Sequence, residues 1–229
     1  MRIVLLPGMD GSGLQFRRFV EQLGDSFTAQ VISYPQSGPQ DYDTLTEHVT
    51  RRLPTSEPYI LLGESFGGPL AFRIAAKRPV NLRGVVFVAT FLQAPRTPGM
   101  RFLRLIPWRV VPLIRPPAFV IRWFSVGKGA TREMLDDFWA ATKDAGHDTL
   151  RKRLETILHL AAPTESLALP CLYLRGAQDR VIGADSVELF RERCPNLVTQ
   201  TIPGPHLLLQ AEAAAGAEII RRFAAGLEK

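Results

Sequence analysis

A chain of 229 residues, 46% hydrophobic and 22% charged, has the length and balance of one large α/β domain or two small ones, which excludes a disordered or fibrous chain. Its formal charge of +6 is unevenly placed: from Leu92 to Arg132 there are eight basic residues and no acidic one, while outside residues 91–165 the chain is nearly neutral. The basic residues alternate with aliphatic ones and offer no aromatic stacking platform, which argues against nucleic acid as a partner.

Taken in chain order, strand-like runs stand at 3–6, 28–34, 59–63, 82–90, 169–175 and 196–202. Most are continuously apolar, as in strands buried on both faces. Helical patterns at 14–23, 42–52, 67–78, 184–193 and 207–226 lie between them, which predicts a parallel sheet of about six strands with helices on both faces. The alternation breaks once. Residues 91–165 open on a proline-rich basic stretch and close on two amphipathic helices near 131–144 and 148–160, the second with Leu150, Leu154, Ile157 and Leu158 on one face. This reads as an insertion into a core formed by residues 1–90 and 166–229. Residues 102–124 are the most apolar long stretch, but four arginines and four prolines within them exclude a membrane span. The run 3–6 is too short for a signal-peptide core. Cys171 and Cys194 have neither metal-site nor disulfide-scaffold spacing and read as buried thiols. The expected location is the cytoplasm.

After the third strand comes Gly63-Glu64-Ser65-Phe66-Gly67, a G-x-S-x-G between an apolar strand and an amphipathic helix. A serine on so tight a turn takes strained backbone angles, so the residues two positions away must be small. The following helix starts beneath it, and its free N–H groups favour developing negative charge. A serine hydroxyl needs a base, and the base an orienting acid. Of four histidines, His48 lies within a helix, His147 in a turn and His159 at the apolar end of an inserted helix. His206 follows the last strand, before the final helix, where a base is needed. Asp179 follows the fifth strand in Arg175-Gly-Ala-Gln-Asp179, whereas Asp185 fits the start of the next helix.

The glycine-rich loop Pro7-Gly-Met-Asp-Gly-Ser-Gly13 follows the first strand. It lacks the third glycine of a dinucleotide fingerprint, where Phe16 stands, and the Gly-Lys-Ser/Thr of a P-loop. Facing a serine elbow, its N–H groups suit an oxyanion. Asp10 would oppose that charge, so its carboxylate is expected to turn into the loop's own N–H groups.

The order Ser65, Asp179, His206, with the flanking glycines, resembles an α/β-hydrolase from Ile3 to the final helix. The compact size and small cap are similar to microbial esterases and thioesterases, including carboxylesterases that act on acyl-carrier-protein esters. Two positions depart from the family: Pro7-Gly8 replaces a His-Gly common at the oxyanion loop, and Gly183 stands where many members have a proline beyond the acid. The resemblance implies that the full fold's first two strands are missing, and that a Ser-His-Asp triad cleaves esters or thioesters through an acyl-enzyme without metal or cofactor. It places the oxyanion donors at the N–H of Phe66 and of Met9, with Asp10 N–H as the alternative. Trp108, Phe119 and Trp123 of the cap would contact the acyl group. The arginines of the basic stretch read first as a solvated face; if they dock something, an acidic acyl-carrier protein or an anionic acyl substrate would be the natural partner. An acyltransferase on the same triad, and a non-catalytic ligand-binding form of the fold, are the competing readings.

Overall fold

The computed structural model describes residues 1–95 and 118–227. Six strands, β1 (Arg2–Leu6), β2 (Thr28–Val31), β3 (Tyr59–Glu64), β4 (Leu82–Val88), β5 (Cys171–Gly176) and β6 (Leu197–Ile202), form one sheet in the order β2-β1-β3-β4-β5-β6. Every neighbouring pair is parallel. Strand side chains alternate between two cores. Val4, Leu6, Leu61, Val85, Phe87 and Tyr173 face one side, against α2 (Tyr42–Thr50), α3 (Gly67–Ala76) and α7 (Ser186–Arg193). Ile3, Leu5, Ile60, Leu62, Val86 and Leu172 face the other, against α1 (Arg17–Leu23) and α9 (Ala213–Leu227). Phe87 anchors the first core, its ring 4.6 Å from that of Phe190.

The edge strands are wetter than their sequence suggests. Val31 and Val198 are exposed because β2 and β6 each have a neighbour on one side only. Two helical patterns also subdivide. Residues 14–23 open with a 3-10 turn, Leu14–Phe16, before α1, and the last pattern breaks at Glu212 between the short α8 (Leu208–Ala211) and α9.

Between β4 and β5, α4 (Ala118–Ile121) runs into a π-helical turn, Arg122–Val126, followed by α5 (Arg132–Ala145) and α6 (His147–Leu158). The π turn was not legible in the sequence. Thr131 caps α5 by accepting from Met134 N–H at 3.2 Å. Ile121, Val126, Met134 and Leu135 form a third, smaller core with Leu207. Register pairs Leu6 with Gly63, Glu64 with Val88 and Val88 with Leu174. The carboxyl ends of four central strands therefore finish together. In parallel sheets this edge is where binding sites are built.

Candidate active site

Ser65 takes φ 49°, a left-handed conformation uncommon for a residue with a side chain. The surroundings hold it there. Its N–H donates to Val88 O at 2.9 Å, and its carbonyl accepts from Gly68 N–H at 3.1 Å and from the Thr90 hydroxyl. Gly67 is required by close approach, since a Cβ there would lie 2.5 Å from Leu6 O. Thr90 is fully buried, and its own carbonyl accepts from Tyr173 OH at 2.7 Å. Thr90→Val removes one donor from the elbow. It is expected to reduce stability by about 1–2 kcal/mol, read in a thermal melt as a midpoint lower by roughly 2–8 °C.

The acid and base loops are laced together. Ala177 N–H donates to Ile202 O at 2.8 Å and Gln178 N–H to Gly204 O at 2.9 Å. Asp179 Oδ1 accepts from the N–H groups of Val181 and Ile182, both at 2.9 Å, and Oδ2 lies 2.9 Å from His206 Nδ1. A carboxylate only accepts, so Nδ1 carries the proton and neutral His206 presents a bare Nε2. That atom is 3.0 Å from Ser65 Oγ. The Asp179 side chain is 1% exposed and that of His206 8%. Burial pulls the imidazole pKa down, but the charge and hydrogen bond of Asp179, with the charge Glu64 carries when ionised, outweigh it and leave it above the usual value. Asp185 stands at the start of α7, as its position suggests, without a side-chain capping bond. His147 and His159 are exposed on α6 or at its end, and His48 Nε2 lies 3.0 Å from Ser33 O.

The loop after β1 passes over the elbow; a Cβ on Gly8 would sit 3.8 Å from Ser65 Cβ. Asp10 turns inward as expected, accepting from Ser12 N–H at 2.9 Å, Ser12 Oγ at 2.6 Å and Gln15 Nε2 at 3.1 Å. What the sequence did not disclose is Arg153. It extends from α6, is fully buried, and donates to Met9 O at 2.9 Å, Asp10 O at 2.7 Å, Pro35 O at 2.9 Å and Gln40 Oε1 at 2.8 Å. Peptide groups are planar and trans, so a Met9 carbonyl held by Arg153 sends Asp10 N–H the opposite way. The Gly8 carbonyl accepts from Gly11 N–H at 3.1 Å and orients Met9 N–H likewise.

Trp108 lies outside the described residues, as does the basic stretch from Arg96 to Arg115. Phe119 is 71% exposed and Trp123 48%. Arg180 stacks on the Trp123 ring at 3.6 Å and donates to Trp123 O at 3.0 Å. Trp123 lines a cavity of about 410 Å³ walled by Gln178, Arg180, Pro203, Gly204 and Pro205; Ser65 is not among its described lining residues. The inserted π turn nevertheless touches the base loop, because Leu207 N–H donates to Ser125 O at 2.9 Å. The model for the family described as serine aminopeptidase, S33, matches residues 31–205.

The chain belongs to that α/β-hydrolase family.

The hydrolase is 27% identical to the pimeloyl-acyl-carrier-protein methyl ester esterase of Xanthomonas campestris pv. campestris, across 98% of this chain and 95% of the esterase. It is 25% identical to the AMB antimetabolite synthetase AmbE of Pseudomonas aeruginosa, across 97% of this chain but only 10% of the synthetase, so it spans about a tenth of that relative. Among solved structures, a lipase-esterase related protein of Clostridium acetobutylicum superposes with a TM-score of 0.78 at 16% identity, covering 97% of this chain and 93% of that one. The fold is that of an α/β-hydrolase, and the protein is esterase-like. No helix among the described residues is long and apolar enough to cross a membrane.

Proposed function

We propose that this hydrolase cleaves acyl esters or thioesters with Ser65 as nucleophile, His206 as general base and Asp179 as the acid that orients it. One observation carries the reading: Ser65 Oγ, His206 and Asp179 form a continuous relay with steps of 3.0 and 2.9 Å. His206 Nε2 takes the serine proton as Oγ attacks the acyl carbonyl. Asp179 keeps the ring in the required tautomer and stabilises the imidazolium. The oxyanion is received by the N–H groups of Phe66 and Met9, each such donor contributing about 3–4 kcal/mol to the transition state. His206 then protonates the departing alcohol or thiol, and water releases the acid from Ser65 by the reverse sequence. The inserted segment between β4 and β5 caps the site. Two free buried thiols accord with a reducing cytoplasm.

The acyl group arrives on an acyl-carrier protein. The esterase relative, matched almost end to end, is named for a carrier-bound ester, and the basic stretch from Leu92 to Arg132 complements an acidic carrier. The test is a paired assay with nitrophenyl esters of increasing acyl length and with acyl-carrier-protein esters and thioesters. Added salt is expected to raise KM for carrier-bound substrates and leave it unchanged for nitrophenyl esters. Equal salt response in both sets overturns the docking. Product analysis with added alcohol or amine separates hydrolysis from acyl transfer.

A further inference from the structure

The residue before the nucleophile is a carboxyl with nowhere to put its charge. Glu64 is 3% exposed at the end of β3, and Gln210, 6% exposed, sits on α8, four residues after His206. Gln210 Nε2 donates to Glu64 Oε2 at 3.0 Å. Glu64 Oε1 and Gln210 Oε1 are both buried without a hydrogen-bond partner. Two orphaned acceptors on side chains already joined by one bond is an expensive arrangement for a carboxylate. A single proton removes it. We infer that Glu64 is a protonated acid whose hydroxyl donates to Gln210 Oε1, closing an acid–amide pair that positions the His206 loop on the serine elbow. The pair has one bond in each direction: amide N–H to acid carbonyl, acid O–H to amide carbonyl. Turning the Gln210 amide over does not remove the need for the proton: it exchanges the partners of the two carboxyl oxygens and still leaves one of them facing the amide oxygen.

The groups that face Glu64 pull in both directions and leave the acid poised to ionise. His206 approaches from the base loop, Asp10 from the loop after β1, Tyr34 from the chain after β2, and Leu209 N–H from α8. Burial pushes the carboxyl up to about 7, with Asp10 adding to the rise and the Gln210 bond, the His206 charge and the Leu209 N–H easing it. Each group acts on the other, since the Glu64 charge raises the imidazole and the His206 charge lowers the carboxyl, so their titrations are coupled. The sign follows from charge. Ionised Glu64 favours the imidazolium, so free-base His206, the form able to accept the serine proton, emerges at higher pH. The Glu64 and Gln210 side chains act through His206 and do not themselves meet the substrate.

The inference rests on the triad reading, and the experiment separates the two. Glu64→Gln keeps both bonds, since its amide donates to Gln210 Oε1 and accepts from Nε2, but it cannot ionise. Its kcat at the pH plateau is expected within a few-fold of the parent, with the acid limb of kcat/KM moved down by about half a pH unit or more. Glu64→Ala leaves Gln210 unpaired and is expected to lower kcat by about tenfold or more, with KM little changed. Two readouts are independent of turnover: an infrared carbonyl band of a protonated carboxyl, present at neutral pH and absent in Glu64→Gln, and a downward shift of the His206 NMR titration in that variant. No such band and an unmoved His206 titration overturn the inference. Ester hydrolysis that survives Ser65→Ala would instead overturn the triad reading, leaving the infrared and NMR results to judge Glu64.

Discussion

Ser65→Ala is expected to lower kcat for ester hydrolysis by about 10⁶-fold, with KM little changed and a residual rate about 10³–10⁴ above that in water. The size follows from covalent catalysis: without Oγ no acyl-enzyme forms, and only binding and the oxyanion donors remain. The fold should not suffer. What holds residue 65 at φ 49° is backbone: its N–H on Val88 O and its carbonyl under Gly68 N–H and Thr90. Alanine keeps all three bonds and the same Cβ, so the thermal midpoint should stay within a few degrees. Asp179→Asn, which offers His206 Nδ1 a donor or a neutral acceptor in place of a carboxylate, is expected to lower kcat by about 10⁴-fold. Rates on nitrophenyl esters check both. Labelling by a fluorophosphonate gives an independent readout, expected in the parent and lost in Ser65→Ala. Substantial hydrolysis or labelling in the Ser65→Ala protein would remove the serine mechanism.

Ser65, Asp179 and His206 could be chosen from sequence because each position has a local requirement. The serine needs flanking glycines and a strand-to-helix turn, and the acid and base each need a loop after a strand. All six strands were legible for a similar reason: the four central ones are dense apolar runs, and the two edge ones are rich in Val, Ile and Thr. The edge character of β2 and β6 was not, since it depends on strand order, which no local pattern encodes. Arg153 was lost for the opposite reason. It stands beside Leu154 and four residues before Ile157, where an arginine reads as a solvated cation at the border of an apolar stripe. Only the placement of α6 over the loop after β1 makes that border an interior, and the carbonyls of residues 9, 10 and 35 supply what a carboxylate otherwise would. Glu64 fell on a free position of the G-x-S-x-G pattern, so nothing marked it. Its meaning comes from Gln210, 146 residues away.

Arg153→Ala is expected to reduce stability by about 3–5 kcal/mol and kcat/KM by about 10²-fold or more. A buried cation has a high desolvation cost, and burial pulls the guanidinium pKa down to about 10, still charged at neutral pH. Its return is geometric. One planar fork joins an inserted helix to the carbonyls of Met9 and Asp10, to Pro35 and to Gln40, while its Cζ rests 5.4 Å from the centre of the Tyr34 ring. Gly11, at φ +69°, leaves the space the guanidinium needs, since a Cβ there would lie 2.7 Å from Cζ. Removing the fork strands buried carbonyls and frees the peptides that follow Met9 and Asp10; the second carries Gly11 N–H, which holds Gly8 O and so orients Met9 N–H, the proposed oxyanion donor. Arg153→Lys should recover only part of the loss: an ammonium keeps the charge but cannot span the same acceptors in one plane. A defect confined to packing would lower the melting midpoint and leave the affinity of folded protein for a transition-state analogue intact. A defect in the oxyanion loop should weaken binding of a trifluoromethyl ketone in proportion to kcat/KM, with KM for the nitrophenyl ester nearly constant. Unchanged analogue affinity in Arg153→Lys, measured below its melting range, would reduce Arg153 to a structural role.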